Sequence, residues 1–334
     1  MFARIRAVSS YLPEIVEKNI DLVDARVIKK IGVEERHVVK NESAGDLAVK
    51  AAEKLFDEYK ISRDETEFIL LCVQHPDYLG PHTAAQIQSR LGLPQIGTMD
   101  ISLGCSGYIY GLATAKGLIE TGAVKNILLI TSSVYTKYIN AQDLAIRPLF
   151  GDGATATWIE AVEEPTENIR AFVFGSDGAR FDKLYIPVGG SKFMPRDNPE
   201  VFETDEGGNV HSNYEIHMDG AALAYFTLHE IPKLIDDVLN KAKLTRADLD
   251  YCIFHQANKL IMEYLQKKAE LENVPYFNDI SKSGNLVSGS VPYAIEQVIK
   301  SVSPARLKKV LLTGFGVGLS WAGCIVDLSQ IFKR

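Results

Sequence analysis

Short apolar runs alternate with amphipathic stretches along this chain, and the order in which they alternate occurs twice. The N-terminal Met1-Phe2-Ala3-Arg4-Ile5-Arg6-Ala7-Val8 switches between apolar and charged residues at the period of a half-buried strand. Ser43 to Tyr59 carries Leu47, Ala48, Ala51, Ala52, Leu55, Phe56 and Tyr59 at helical spacing, and a second amphipathic helix is expected from about Ala222 to Ala242. Lys60-Ile61-Ser62-Arg63-Asp64-Glu65 before the apolar run Phe68–Leu71 matches Lys243-Leu244-Thr245-Arg246-Ala247-Asp248 before Tyr251–Phe254, each with a Ser or Thr three residues ahead of an acid, a capping-box pattern. Asp100-Ile101-Ser102 is echoed by Asp279-Ile280-Ser281. Each of these is followed by a stretch of helical length and an apolar strand, Lys125–Thr131 or Lys309–Thr313. Gly151–Ile159 closes the first series and Gly316–Cys324 the second.

A duplicated series of alternating strands and helices predicts two fused α/β halves with mixed sheets and helices in layers. The halves are placed at residues 1–165 and 166–334. Between about Arg170 and Ser212 the rhythm breaks in a Gly-, Asp- and Pro-rich stretch, read as loops over a substrate entrance.

With 334 residues, 46% of them hydrophobic, the chain can bury large cores, yet no run is long enough to span a bilayer. The N-terminus lacks the apolar stretch and cleavage site of a signal peptide, so a cytoplasmic location is expected. A net charge of −7 without a long basic run gives no electrostatic reason to expect nucleic acid as a partner. The four cysteines, Cys72, Cys105, Cys252 and Cys324, are widely spaced with no CxxC pair, which suggests neither a disulfide framework nor a metal site.

Cys105 differs from the other three, which sit in mid-strand. It follows an apolar strand and opens a helix without a charge before Lys116, a place where unpaired N–H groups favour thiolate over thiol. A thiolate there is a natural acceptor of an acyl group. His255 closes the run Tyr251–Phe254, where α/β proteins commonly build sites. The duplication puts Asn285 near the position in the second half that Cys105 holds in the first, so a pseudo-twofold axis would bring both to one cavity.

Five motifs in order carry a resemblance that spans essentially the whole chain: Gly104-Cys105-Ser106-Gly107, Leu149-Phe150-Gly151-Asp152-Gly153-Ala154, His255-Gln256-Ala257-Asn258, Gly284-Asn285 with Ser290-Val291-Pro292, and Gly314-Phe315-Gly316-Val317-Gly318-Leu319-Ser320-Trp321. The chain resembles the thiolase superfamily, and within it β-ketoacyl-acyl carrier protein synthase III and its relatives. The resemblance implies a thiolase-like fold, transfer of an acyl group from coenzyme A or acyl carrier protein to Cys105, and decarboxylative Claisen condensation with a malonyl-acyl carrier protein. It further implies backbone N–H groups of Cys105 and Val317 as the oxyanion hole and His255 and Asn285 as donors to the enolate. Phe315 and Gly316 would line the substrate pocket, Gly80 would reach the acyl pocket of the other subunit of a homodimer, and no cofactor or metal would be required.

Two departures leave the primer open. Arg26 stands where short-primer enzymes of the family carry a tryptophan, and Leu144 where they carry an arginine, so the clamp on adenine is missing. Leu260 replaces a basic residue that often faces the carrier, while Lys30 keeps one charge. The remaining alternatives are acyl transfer to an alcohol or amine, and a condensation without decarboxylation. The second needs an extra base, for which the loop from Gln74 to Pro81 offers His75 and Asp77 but no glutamate.

Overall fold

The computed structural model describes residues 1–332 and shows two sheets enclosing a central pair of helices. The first sheet is built from β1 (Phe2–Tyr11), β4 (Phe68–Cys72), β5 (Gly97–Ile101), β6 (Asn126–Ser133) and β7 (Gly153–Val162), in the order β1-β7-β6-β4-β5. β2 (Ile15–Lys18) and β3 (Glu35–Val38) form a separate ribbon. The second sheet has the order β13-β14-β15-β8, with β8 at Ile169–Ser176, β13 at Tyr251–Phe254, β14 at Val310–Gly316 and β15 at Ser320–Val326. In both sheets the middle pairs run the same way: β4 is parallel to β6 as β13 is to β14, and β6 is antiparallel to β7 as β14 is to β15. The mixed sheets expected from the repeated sequence are present.

The duplication is asymmetric at one edge. β5 pairs in parallel with β4, Cys72 lying opposite Ile101, but Asp279–Ser281 forms no strand, and its neighbourhood contributes only a single bridge between Cys252 and Tyr276. The capping boxes differ too. Thr245 and Asp248 bond each other's backbone reciprocally, whereas the Ser62 side chain makes no cap bond.

Apolar runs such as Ile127–Ile130 and Val310–Leu312 are buried throughout, because each sheet is covered on both faces. Helix α2 (Ala44–Tyr59) starts at Ser43 with a capping box closed by Asp46, and its apolar face covers the outer side of the first sheet together with α3 (Thr83–Arg90). Helix α5 (Gly220–Ala242) and α6 (Lys259–Lys268) cover the outer side of the second. Between the sheets lie α4 (Gly107–Glu120) and α7 (Ser290–Ser301), whose Tyr108, Ile109, Leu112, Val291, Ile295 and Val298 join one core shared by both halves. Helix α1 (Ala25–Ile31) packs outside, against α6.

The stretch from Arg170 was expected to be loop, and its first part is strand. β8 pairs antiparallel with β15 from Ile169 opposite Val326 to Ser176 opposite Ser320. Gly175, which suggested a loop, is where the Trp321 ring lies against the backbone. Beyond it the chain does loop, through β9 (Leu184–Tyr185), β10 (Phe202–Thr204), β11 (Val210–Ser212) and β12 (His217–Met218), which pair as two small ribbons, β10 with β11 and β9 with β12.

Only one of the two caps is closed, so Thr245→Ala should lower the unfolding free energy by about 1 kcal/mol, while Ser62→Ala should change it by less than about 0.5 kcal/mol. Urea unfolding followed by circular dichroism measures both. Equal losses would contradict the asymmetry.

Candidate active site

Cys105 stands in the turn between β5 and α4 and His255 directly follows β13, so each sits beyond the C-terminal end of a parallel strand, one in each half. Asn285 lies on the loop leading to α7 and is bridged to Phe150 in the Leu149–Ala154 motif: its N–H donates to Leu149 O at 2.8 Å. The three side chains line one cavity of about 450 Å³, together with Phe315 and Gly316. The sequence motifs thus converge.

At Cys105 the two halves touch without side chains between them. A Cβ on Gly314 would lie 2.7 Å from the Cys105 carbonyl oxygen, and one on Gly316 2.8 Å from Sγ. Glycine at both positions lets β14 reach the nucleophile. Backbone N–H groups of Val317 and of Cys105 itself point at Sγ. Ser320 fixes that turn: its Oγ donates to Val317 O at 2.9 Å and lies 2.7 Å from Ser106 Oγ, next to the nucleophile.

The protonation state differs from the expectation. Burial pushes the Cys105 thiol up to about 12, against the opposing pull of the two N–H groups. A helix N-terminus contributes about 0.3–1 kcal/mol, less than the 1.36 kcal/mol of one pKa unit, so it cannot offset such burial. The resting group is a thiol. What separates Cys105 from Cys72, Cys252 and Cys324 is position on a cavity wall, since burial raises all four.

His255 is also neutral, its pKa pushed down to about 3 by burial despite a hydrogen bond with the Val287 backbone. The ring is held edge-on to Phe315, and its Nδ1 lies 2.7 Å from Ser290 Oγ. Ser290 Oγ accepts a long bond from Gln256 N, 3.4 Å, which leaves its own hydrogen for Nδ1. In the sequence Ser290 stands out only as part of the Ser290-Val291-Pro292 motif, because an oriented neighbour of a histidine has no one-dimensional signal. Asn285 Oδ1 accepts from Val287 N at 2.8 Å, which leaves the amide nitrogen to donate into the cavity. Val287 adopts φ 55°, a left-handed conformation that a β-branched residue holds only at a cost of about 1–3 kcal/mol. The strain sits in the loop that presents Asn285 and Ser290.

Other positions sort as follows. Lys30 and Leu260 line the same cavity, while the Arg26 side chain is exposed on α1, and Leu144 is partly exposed. Gly80 is exposed and is not among the residues that line the cavity holding Cys105. Asp77 is taken up structurally, accepting from Ser43 Oγ and Gly45 N at the start of α2, both at 2.9 Å. Asp152 likewise ties loops together, accepting from Val39 N and from Thr136. Among the described residues no three or more His, Cys, Asp or Glu side chains gather as a metal site would require, and no helix is long and apolar enough to cross a membrane.

The family profile described as 3-oxoacyl-[acyl-carrier-protein (ACP)] synthase III matches residues 99–178, and its C-terminal counterpart matches residues 239–328. The β-ketoacyl-[acyl-carrier-protein] synthase III of Clostridioides difficile is 35% identical over 97% of this chain and 98% of its own. That of Lactococcus lactis is 32% identical over 98% and 99%. A crystal structure of a 3-oxoacyl-(acyl-carrier-protein) synthase III superposes with a TM-score of 0.93 at 37% identity, covering 98% of this chain and all of the other.

Below its pKa near 12, this thiol gives about tenfold more thiolate for each unit by which the pH rises. Alkylation of Cys105 by iodoacetamide, followed by peptide mass spectrometry, should therefore climb about tenfold per unit from about pH 7 to 9, with the other three cysteines far slower. A rate already level by pH 8 would show a thiolate instead.

Proposed function

The chain belongs to the 3-oxoacyl-[acyl-carrier-protein] synthase III family, and we propose that Cys105, His255 and Asn285 carry the decarboxylative condensation of that family here. One observation supports the assignment above others: three residues from separate motifs and both halves line a single cavity, with two backbone N–H groups aimed at the sulfur.

In the first half-reaction Cys105 Sγ attacks the carbonyl of an acyl thioester, the donor sulfur departs with the proton, and the oxyanion rests on the N–H groups of Cys105 and Val317. In the second, a malonyl thioester places its carbonyl oxygen against His255 and Asn285. Loss of carbon dioxide leaves an enolate, and its carbon attacks the acyl-cysteine: the new carbon–carbon bond replaces the bond to Sγ, the 3-oxoacyl thioester departs, and the Cys105 thiolate takes a proton from solvent. Donors serve this step better than a base. With Nδ1 accepting from Ser290 Oγ, His255 would donate from Nε2 alongside the Asn285 amide. The scheme uses no metal or prosthetic group. Lys30 at the cavity wall would meet a carrier phosphate as the single charge kept there, and malonyl-acyl carrier protein is the proposed second substrate.

The enzyme also fits a homodimer. β5 is an unpartnered sheet edge, and beside it the loop before α3 leaves Leu79 96% and Tyr78 62% exposed. A second copy seated on this edge would cover them and carry Gly80 toward the partner's acyl pocket.

Cys105→Ala should abolish condensation. His255→Ala and Asn285→Ala should still acylate Cys105 but lose malonyl decarboxylation by about a hundredfold or more. Since the His255 pKa lies near 3, wild-type decarboxylation should stay level from about pH 5.5 to 8, where an unperturbed histidine would titrate. Equal loss of both half-reactions in Asn285→Ala, or an inflection near pH 6.5, would contradict the roles given. Light scattering should return twice the chain mass, and Leu79→Asp should lower it toward one.

A further inference from the structure

A second cavity, of about 390 Å³, adjoins the first and is unlike a simple hydrocarbon pocket. Leu184 lines both, and Val317, whose N–H points at Cys105, lines the second. Tyr135, Cys105 and Phe150 share one apolar cluster there. Part of the cavity's lining is aliphatic, with Ile186, Val188 and Ile216. Part is polar: Gln74 and His75 enter it from just beyond the end of β4.

These two side chains are ordered but incompletely bonded. Gln74 Oε1 accepts from the Tyr135 hydroxyl, and a Cβ on Gly104 would lie 2.5 Å from the same oxygen, so the amide stands beside the residue preceding the nucleophile. Its nitrogen makes no hydrogen bond among the described residues. The His75 ring stacks on Tyr138 with centroids 4.0 Å apart and meets Tyr135 at 5.1 Å, yet neither ring nitrogen has a hydrogen-bond partner among the described residues. Burial pushes the His75 pKa down to about 4, so the imidazole is neutral and offers one donor and one acceptor.

From this arrangement we infer that the second cavity selects acyl groups bearing a hydroxyl or carbonyl oxygen within the first few carbons of the thioester, over plain alkyl chains of equal length. The inference rests on Cys105 as the acyl acceptor. A hydrocarbon tail would strip water from Gln74 and His75 and return nothing, whereas an oxygen on the third carbon accepts from the Gln74 amide and pairs with the imidazole. A site with polar groups placed for a substrate oxygen discriminates strongly against the analogue that lacks it. The transfer itself is unchanged: the acyl carbon exchanges its bond to the donor sulfur for one to Sγ, and the thiol proton leaves with the donor thiol.

The test follows acylation of Cys105 by intact-protein mass spectrometry with hexanoyl, 3-hydroxyhexanoyl and 3-oxohexanoyl coenzyme A thioesters. Wild type should favour at least one oxygenated donor over hexanoyl by about tenfold or more, and the two oxygenated donors tell a hydroxyl from a carbonyl preference. In Gln74→Leu that preference should disappear or reverse, and His75→Phe gives a second, independent reading. Transfer from hexanoyl as fast as from both oxygenated donors would overturn the inference, as would a preference retained in both variants. No transfer of any of the three acyl groups, whether carried by coenzyme A or by acyl carrier protein, would instead overturn the role of Cys105 itself, so the two failures are distinguishable.

Discussion

The approach of β14 to Cys105 is a contact of backbone on backbone, and the chemistry depends on it. Neither Gly314 nor Gly316 could carry a side chain without meeting the Cys105 carbonyl or sulfur at less than 3 Å. Because they carry none, the Val317 N–H reaches the sulfur from the second half while the Cys105 N–H comes from the first. An oxyanion hole made of backbone groups from two sheets stays fixed only if the sheets are fixed. The shared core of α4 and α7, with the Ser106–Ser320 contact at its edge, supplies that rigidity.

Burial then sets the protonation of the site. The same enclosure that excludes water from a reactive enolate makes charge expensive, so the resting pair is a thiol and a neutral imidazole. That state suits the proposed reaction. A thiol loses its proton as the donor sulfur leaves, and a neutral histidine can donate to an enolate without first being charged. Asn285 cannot titrate at all, and its oxygen is already occupied by the Val287 N–H.

Much of this was legible in the sequence, for identifiable reasons. Uninterrupted runs such as Ile127–Ile130 must be buried on both faces, which marks central strands, and the α2 capping box is a local pattern that the fold kept. Cys105, His255 and Asn285 came together because duplication relates distant positions, and the family motifs around them are ordered. Three things had no local signal. β8 was masked by Gly175 and its neighbours, since the need for a glycine there comes from Trp321, almost 150 residues further on. The thiol's protonation has no local signal because helix position is local and burial is not. The pairing of Gln74 with Tyr135 joins a strand end to a short helical turn of another segment, a contact that only the folded chain defines.

Condensation and simple acyl transfer share the acyl-cysteine and diverge at the malonyl carboxylate, so that is where the account is tested most directly. Enzyme acylated on Cys105 with an isotopically labelled acyl group, freed of donor, would be mixed with malonyl-acyl carrier protein, and carbon dioxide and labelled product would be counted together. The account predicts one carbon dioxide released for each labelled 3-oxoacyl thioester formed. Labelled acyl group leaving Cys105 while the malonyl carboxylate stays intact would contradict it.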